Sequence, residues 1–224
     1  MSGSVLGPGA HSRVRRLAKK ATYDEAVIYA ILDEARLCHV AGVLNDRPIV
    51  LPTLHAREGR RLYLHSSPAS ALMRSVVASG EVCVSVTLFD GLRLARSGFE
   101  SSIAYRSVVL FGGATLVSDQ DEKRRVLDRF VDSVLPGRAR EVREASEQEV
   151  RRTMVVAVEI DEASAKVSAG PTDDPDQDQD LAIWSGTVPA RVYFDAPVAS
   201  GDGSMARGDL PVPESVRRLL RSQS

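Results

Sequence analysis

The stretch EVCVSVTLF, residues 81–89, decides the fold class of this chain. Its apolar residues at 82, 84, 86 and 88 alternate with Cys83, Ser85 and Thr87, which is the two-residue period of a strand with one buried face. Asp90-Gly91 follows directly and is typical of a hairpin turn. We therefore predict a strand over 81–89 and a hairpin that leads into another strand near 91–97.

Further strands and helices surround this hairpin. Short turns at Asn45–Pro48 and Glu58–Arg60 separate apolar runs, which indicates antiparallel strands. Thr22 and Glu25 form the pattern of a capping box, and Ser67-Pro68 is a typical helix start. The strands are predicted at 36–44, 48–56, 61–65, 105–117 and 154–167, and the helices at 24–35, 67–79, 118–135 and 147–152. The pattern favours a mainly β (α+β) fold, an antiparallel barrel that is closed or nearly closed, with peripheral helices.

Composition excludes several classes of protein. The 224 residues carry 29 Lys and Arg against 30 Asp and Glu, so charge gives no reason to expect nucleic acid or a membrane surface as partner. No apolar run is long enough to cross a bilayer. Two cysteines do not make a disulfide framework, and we expect a cytoplasmic protein. Aromatic residues make up only 5% of the chain, so the core is expected to be aliphatic.

The two ends differ from the middle in composition. Residues 1–12 are rich in Gly and Ser, and we expect a disordered N-terminal arm there. Residues 196–224 are rich in Gly, Pro, Ser and Asp and are predicted to be a flexible C-terminal tail, in which 216–220 form at most one helical turn. The folded domain is therefore expected to span residues 13–195.

Two local patterns are candidate anion sites. In LYLHSSPAS, residues 62–70, a strand ends at His65, hydroxyls follow at Ser66, Ser67 and Ser70, and a helix begins. Helix N-termini bind phosphate, although a serine at this position is also an ordinary helix cap. The second pattern, Tyr105-Arg106-Ser107, places a guanidinium on a strand, where it either pairs with phosphate or is an exposed edge residue.

Other candidate sites have weaker patterns. Asp176, Asp178 and Asp180 share the first spacings of a calcium loop, but Leu181 stands where glycine is needed, so we predict a solvated loop and no metal site. Trp184 is either a core anchor or a lid over a planar ligand. Together with Tyr63 and Tyr105, it is one of the aromatic residues near the motifs that are candidates for lining such a ligand.

Over roughly residues 13–190 the chain resembles the pyridoxamine 5'-phosphate oxidase-like FMN-binding split barrels, and within them the subgroup of nitroimidazole-resistance proteins. No single motif carries the resemblance, which rests on their combination. The motifs are TYDEAVIYAILDEARLCHVA, IVLPTLHAREGRRLYLHSS, VSVTLFDGLRLARS, SSIAYRSVVLFGGA, the stretch from Glu122 to Arg138, and SAKVSAGP with WSGTVP.

The resemblance implies a six-stranded antiparallel split β-barrel that forms a homodimer, with FMN between the subunits. It places Val50, Pro52 and Thr53 along the isoalloxazine ring. It implies contacts of His65, Ser66 and Ser70 to the ribityl and phosphate groups, and Arg106 and Ser107 complete the phosphate site. Further candidates for cofactor contacts are Ser67, Tyr105 and Trp184. The subgroup often has Lys where Pro68 stands and Asn where Ala104 stands.

The resemblance also implies a function. We expect an FMN-binding oxidoreductase that passes electrons from NAD(P)H to a small-molecule substrate such as a nitro compound or quinone, with His65 as the catalytic polar group near the ring. One alternative is a non-catalytic carrier or sensor of flavin or haem. Another is a deazaflavin-dependent reductase on the same fold. The C-terminal SVRRLLRSQS lacks the Arg-Leu-x-Pro signature of true pyridoxamine-phosphate oxidases, so vitamin B6 oxidation is not expected.

Overall fold

The computed structural model describes residues 4–199 and 211–223. Its helices and strands alternate along the chain. The helices are Glu25–Glu34 (α1), Ala71–Ser79 (α2), Gln120–Val134 (α3), Glu147–Arg152 (α4) and Glu214–Arg221 (α5). The strands are Ala21–Thr22 (β1), Leu37–Leu44 (β2), Arg47–Glu58 (β3), Arg61–Ser66 (β4), Glu81–Leu94 (β5), Ser102–Leu116 (β6), Met154–Glu159 (β7), Glu162–Ser168 (β8) and Gly186–Pro189 (β9).

Six of the strands close into a ring. Its order is β6-β7-β4-β3-β2-β5, and the pairing of β5 with β6 closes it. Every pair is antiparallel, and β1, β8 and β9 extend the sheet beyond the ring. The predicted mainly β fold, a six-stranded antiparallel split barrel with peripheral helices, is confirmed.

The barrel interior is aliphatic, as the low aromatic content predicts. Val40, Val84, Val86, Val108 and Leu110 are fully buried inside the ring. A second, smaller core lies outside the ring, where α3 covers β3, β4 and β7. This second core holds Ala56, Tyr63, Val117, Val126, Phe130, Val155 and Ala157. Helix α3 is therefore packed on the barrel wall by its apolar stripe.

The helix starts differ from two of the predictions. Helix α1 is capped by Asp24, whose carboxylate accepts a hydrogen bond from the Val27 N–H at 3.0 Å, and not by Thr22. Helix α2 begins at Ala71 with Ser70 as its cap, and not at Ser67-Pro68. Each predicted cap is a hydroxyl that bonds a nearer backbone N–H in a turn before the helix. The short helix predicted at 147–152 is confirmed, with a capping box from Ser146.

The hairpin predicted at Asp90-Gly91 is wrong. Strand β5 continues through these residues to Leu94, and the register against β6 shifts between Phe89 and Gly91. This is a β-bulge, and Gly91 has φ 146°, a conformation that side chains disfavour. A Cβ atom on Gly91 would stand 2.3 Å from the Val188 carbonyl oxygen, so the glycine is also needed for the close approach of β9.

The long strand predicted over 154–167 is two strands. Strand β7 ends at Glu159 and pairs with β4, whereas β8 starts at Glu162 and pairs with β6 and β1. Gly112 on β6 makes the break possible, because a Cβ atom there would lie 1.5 Å from the Glu159 carbonyl oxygen. Both strands contribute buried residues to the core.

The described N-terminal residues contact the barrel, and the C-terminal helix contacts the segment that follows α3. Leu6 is only 3% exposed, and the Ser12 hydroxyl donates to Glu162 on β8, although we expected an arm over residues 1–12. Helix α5 is longer than the single turn predicted at 216–220, and Ser215 bonds Glu141 through both its N–H and its hydroxyl. The rest of the predicted tail at 200–210, and residue 224, lie outside the described residues. Among the helices of the described part, none is long and apolar enough to cross a membrane.

Candidate functional site

One exterior face of the barrel collects four of the predicted flavin residues. The register pairs His39 on β2 with Pro52 and with Ser85, and Ser85 with Val109, so these side chains share a face. Their neighbours in sequence, such as Val40, Val84 and Val108, are fully buried inside the barrel, so this face points outward. The same alternation places Val50, Pro52, Tyr105 and Ser107 on this surface, which we call the outer face.

The outer face exposes apolar side chains that no described part of the chain covers. Val43 is 59% exposed and Val50 is 57% exposed, values far above those of ordinary strand valines in this barrel. Leu37, Phe89 and Val109 add to the same surface. A contiguous apolar surface of this kind marks a binding site or an interface between proteins.

Lys166 is a residue of the outer face that the sequence analysis missed. It lies directly opposite Ser107 in the pairing of β6 with β8, and opposite Ala21 on β1. No ion pair joins Lys166 to a carboxylate among the described residues. The sequence shows only that Lys166 is the one charged residue in ASAKVS, residues 163–168. Its position beside Ser107 depends on the pairing of β6 with β8.

Thr53 and Arg106 do not share this face. Thr53 is opposite the buried Cys38, and Arg106 follows the inward alternation of Ala104 and Val108. The Arg106 guanidinium is held by two carboxylates: Nε and Nη2 donate to Asp90 at 2.9 and 2.8 Å, and Nη1 and Nη2 donate to Glu34 at 2.5 and 2.8 Å. These bonds raise the pKa of Arg106. The bonds from Arg106 to Glu34 lower the pKa of the Glu34 carboxyl.

The hydroxyls at the β4–α2 junction bond to their own backbone. Ser66 Oγ donates to the Ser67 carbonyl oxygen at 3.1 Å, and Ser67 Oγ accepts from the Ala69 N–H at 3.2 Å. Ser70 Oγ accepts from the Met73 N–H at 3.4 Å as the cap of α2. The predicted hydroxyl cluster exists, and in this structure its three members stabilise the turn and the helix start.

The His65 side chain points away from the barrel interior, toward α3. Its ring packs edge-on against Phe130, with the ring centroids 4.4 Å apart and the planes 61° apart. Its Nδ1 atom is shielded from solvent and has no hydrogen-bond partner among the described residues. Burial lowers the pKa of His65, so the imidazole is neutral at pH 7.

Next to His65 lies a cavity of about 580 Å³, which we call the α3 cavity. It opens between Leu54, in the second half of β3, and the apolar face of α3. Its lining is completed by His65, Leu127, Asp128, Phe130, Val131, Val134, Val142, Arg143, Ala145, Glu149 and Thr153. Helical periodicity predicts α3 but does not distinguish a helix face that packs from one that lines a cavity.

The aromatic candidates separate into three situations. Tyr63 is 1% exposed in the second core, where its hydroxyl donates to Glu122, so it packs and lines no ligand site. Tyr105 is half-buried on the outer face. Trp184 is 66% exposed on the loop before β9, so the reading of Trp184 as a core anchor is wrong.

Comparison with protein families accounts for this barrel. The family model described as pyridoxamine 5'-phosphate oxidase matches residues 24–167, more than half of the chain. The chain belongs to the pyridoxamine 5'-phosphate oxidase family. The match runs from the cap of α1 to the end of β8, so it includes the outer face and the junction of β4 with α2. No curated protein sequence matches this family member.

Solved structures place the family member more finely. The flavocytochrome Anf3 from Azotobacter vinelandii is 36% identical, with a TM-score of 0.87 over 94% of this chain and 97% of that chain. The FAD and haem binding protein from Mycobacterium smegmatis is also 36% identical, with a TM-score of 0.83 over 89% and 97%. A Bacteroides thetaiotaomicron protein provisionally assigned to 5-nitroimidazole antibiotic resistance is 26% identical, with a TM-score of 0.57 over 66% and 86%. The predicted family and subgroup resemblance are confirmed.

Proposed function

We propose that this protein binds a flavin and a haem and works as an electron-transfer protein. The observation that carries the proposal is the 36% identity, over nearly the whole of both chains, to two proteins whose descriptions name these cofactors. The name of the first is flavocytochrome, and the second is described as binding FAD and haem. A flavin exchanges electrons singly or in pairs and a haem exchanges them singly, so the pair suits electron transfer.

The flavin site that we propose is the outer face. Val50 and Pro52 offer an apolar strand for the ring, and Tyr105 and Ser107 lie across the sheet from them on the same surface. Lys166 supplies a cation beside Ser107, which suits the flavin phosphate. The protein residues thus bind and orient the flavin, while its redox chemistry belongs to the cofactor.

We further propose that a second copy of the chain covers the outer face. A flavin on an open sheet would leave much of its ring in water, whereas ligand sites bury most of their ligand. The exposed Leu37, Val43 and Phe89 lie around this site and suit a symmetric, self-complementary contact. Val43→Asp should convert a dimer to a monomer in size-exclusion chromatography with light scattering. A wild-type monomer would contradict this proposal.

Lys166→Met tests the flavin site, with Lys19→Met as the matched control. Lys19 lies in the short 3₁₀ segment at 18–20, where its side chain is exposed and forms no hydrogen bond or ion pair among the described residues. Loss of one charge-assisted phosphate contact should weaken flavin binding about tenfold, or 1.4 kcal/mol. Fluorescence titration of the apo-protein measures the affinity. Equal affinities for wild type and Lys166→Met would remove the flavin phosphate from this surface.

Two finer proposals concern which flavin the protein binds and which electron donor it uses. The resemblance predicts FMN with NAD(P)H as donor and a nitro compound or quinone as acceptor, whereas the description of one relative names FAD. Chromatography of the released cofactor identifies the flavin. Melting temperatures with FMN, FAD and a deazaflavin rank the three, since a ligand that binds only the native state stabilises it. Steady-state oxidation of NADH and NADPH by the holo-protein tests the donor, and no turnover with either would favour the carrier.

A further inference from the structure

The imidazole of His65 has a buried nitrogen atom without a hydrogen-bond partner among the described residues. A shielded nitrogen without a hydrogen bond costs free energy, and native proteins rarely leave one unexplained. Nδ1 of His65 is such an atom among the described residues. The ring lines the α3 cavity and is neutral, which is the protonation state in which imidazole binds a metal ion.

The α3 cavity suits a largely apolar ligand. Its volume of about 580 Å³ lies within the range of about 300–1,000 Å³ that is usual for ligand sites. Its walls are mainly apolar, with Leu54, Leu127, Phe130 and Val131 beside the imidazole. Such walls suit the face of a porphyrin, whose hydrophobic shell and axial ligand are the means by which a protein controls a haem.

The charges around the cavity disfavour the flavin phosphate there. Arg143 is the cation in its lining, and both of its terminal nitrogens donate to Glu149, at 2.8 and 2.6 Å. Asp128 adds a second carboxylate to the same lining. Arg143 is 73% exposed, so it lies at the solvent edge of the cavity and not inside it.

The other histidines fit this role less well. His11 and His39 are exposed and do not line the α3 cavity. His55 also has an unpartnered Nδ1, but its Nε2 is bonded to the Leu32 carbonyl oxygen at 2.8 Å. It lines a smaller space of about 260 Å³ whose walls include Arg57 and other charged side chains.

We propose that the α3 cavity would hold the haem and that the His65 imidazole would supply a ligand to its iron. The inference rests on the haem binding proposed above and assigns it a residue and a place. It gives His65 a different role from the catalytic group that the sequence predicts.

His65→Gly tests the ligand, with His11→Gly as the matched control. The apo-proteins are titrated with haemin, and the Soret absorbance gives affinity and coordination. Changes of residues that merely support a metal ligand cost about 10–100-fold in affinity, so loss of the ligand should cost at least tenfold. Added imidazole should restore the wild-type spectrum in His65→Gly, because it replaces the missing ring.

A second variant tests the cavity without touching the histidine. Val134 is 44% exposed on α3 and lines the space, so Val134→Trp fills it at little cost to the fold. Haem affinity should fall in this variant, while flavin content and melting temperature stay at wild-type values. Unchanged haem affinity in Val134→Trp would place the porphyrin elsewhere.

The outcomes separate this inference from the proposed function. If wild type binds haemin and His65→Gly gives the same Soret band and affinity, His65 is not the ligand, although haem binding stands. If the band changes in His55→Gly and not in His65→Gly, the ligand is His55. If wild type binds flavin but no haemin, the haem half of the proposed function fails, and this inference fails with it.

Discussion

Replacing Arg106 with alanine should lower stability, and the structure gives the size of the effect. The guanidinium joins α1 to the barrel, because Glu34 is the last residue of that helix and Asp90 lies on β5. The Arg106 and Asp90 side chains are 31% and 32% exposed, and that of Glu34 is 53% exposed. Exposed pairs contribute about 0.2–1 kcal/mol, and hydrogen bonds to charged groups up to about 3 kcal/mol.

Discounted for this exposure, the Asp90 pair should contribute about 1 kcal/mol and the Glu34 pair about 0.5 kcal/mol. Arg106→Ala should therefore lower the free energy of unfolding by about 1.5 kcal/mol. In a chain of this size that corresponds to a fall in melting temperature of about 3–6 °C. Urea denaturation of the apo-protein measures the first quantity, and calorimetry measures the second.

Acid should reduce this contribution. The two bonds from Arg106 lower the pKa of Glu34 in the folded state below its ordinary 4.5. A carboxyl with a lowered folded pKa stabilises the protein above its ordinary pKa, and this stabilisation is lost as pH falls through the folded value. The difference between wild type and Arg106→Ala should therefore be full at pH 7 and shrink as pH falls below 4.5.

Arg74→Ala is the matched control, since Arg74 is exposed on α2 and forms no ion pair among the described residues. It should change the free energy of unfolding by less than about 0.5 kcal/mol. Equal stabilities of Arg106→Ala and Arg74→Ala in the apo-protein would refute the stabilising role of the Arg106 ion pairs. A normal stability of Arg106→Ala together with a lower flavin affinity would also contradict this role, because Arg106 would then bind the phosphate, as the family resemblance implies.

Two further predictions concern the backbone. Ser70→Ala removes the cap of α2 and should lower the free energy of unfolding, measured by urea denaturation, by about 1 kcal/mol. Ser67→Ala should lower it by less than about half of that. Equal losses would indicate that α2 begins at Ser67. Gly112→Ala places a Cβ atom against the Glu159 carbonyl oxygen and should lower the free energy of unfolding by about 3 kcal/mol or more. A Cβ atom at Gly98 meets nothing within 4 Å, so Gly98→Ala should leave stability unchanged. Similar melting temperatures for the two variants would contradict the close approach of β6 to the end of β7.

The local features of the fold were predictable, and the contacts between distant segments were not. The alternation in 81–89 identified β5, and the periodicity after residue 118 identified α3, because each depends on one face of one element. Asp90-Gly91 predicts a hairpin although it forms a β-bulge, since an Asp-Gly pair is compatible with either structure. What decides between them is the Val188 carbonyl, nearly a hundred residues away.

The candidate site shows the same division. His65 was selected from its position at the end of β4, but its neighbours on α3 and the cavity between them come from a segment some sixty residues later. The position of Lys166 could not be predicted from the sequence either, because it lies beside Ser107 only through the pairing of β6 with β8.

Strand geometry decides how the motif Tyr105-Arg106-Ser107 can act. Successive side chains on a strand point to opposite faces, so one ligand lying on the outer face contacts Tyr105 and Ser107 and leaves Arg106 on the other side. Two carboxylates already occupy Arg106 there. A phosphate beside Ser107 needs a cation on its own face, and the pairing of β8 supplies Lys166. Arg106 therefore joins α1 to the barrel, whereas Tyr105 and Ser107 are the two residues of the motif that face the proposed flavin site.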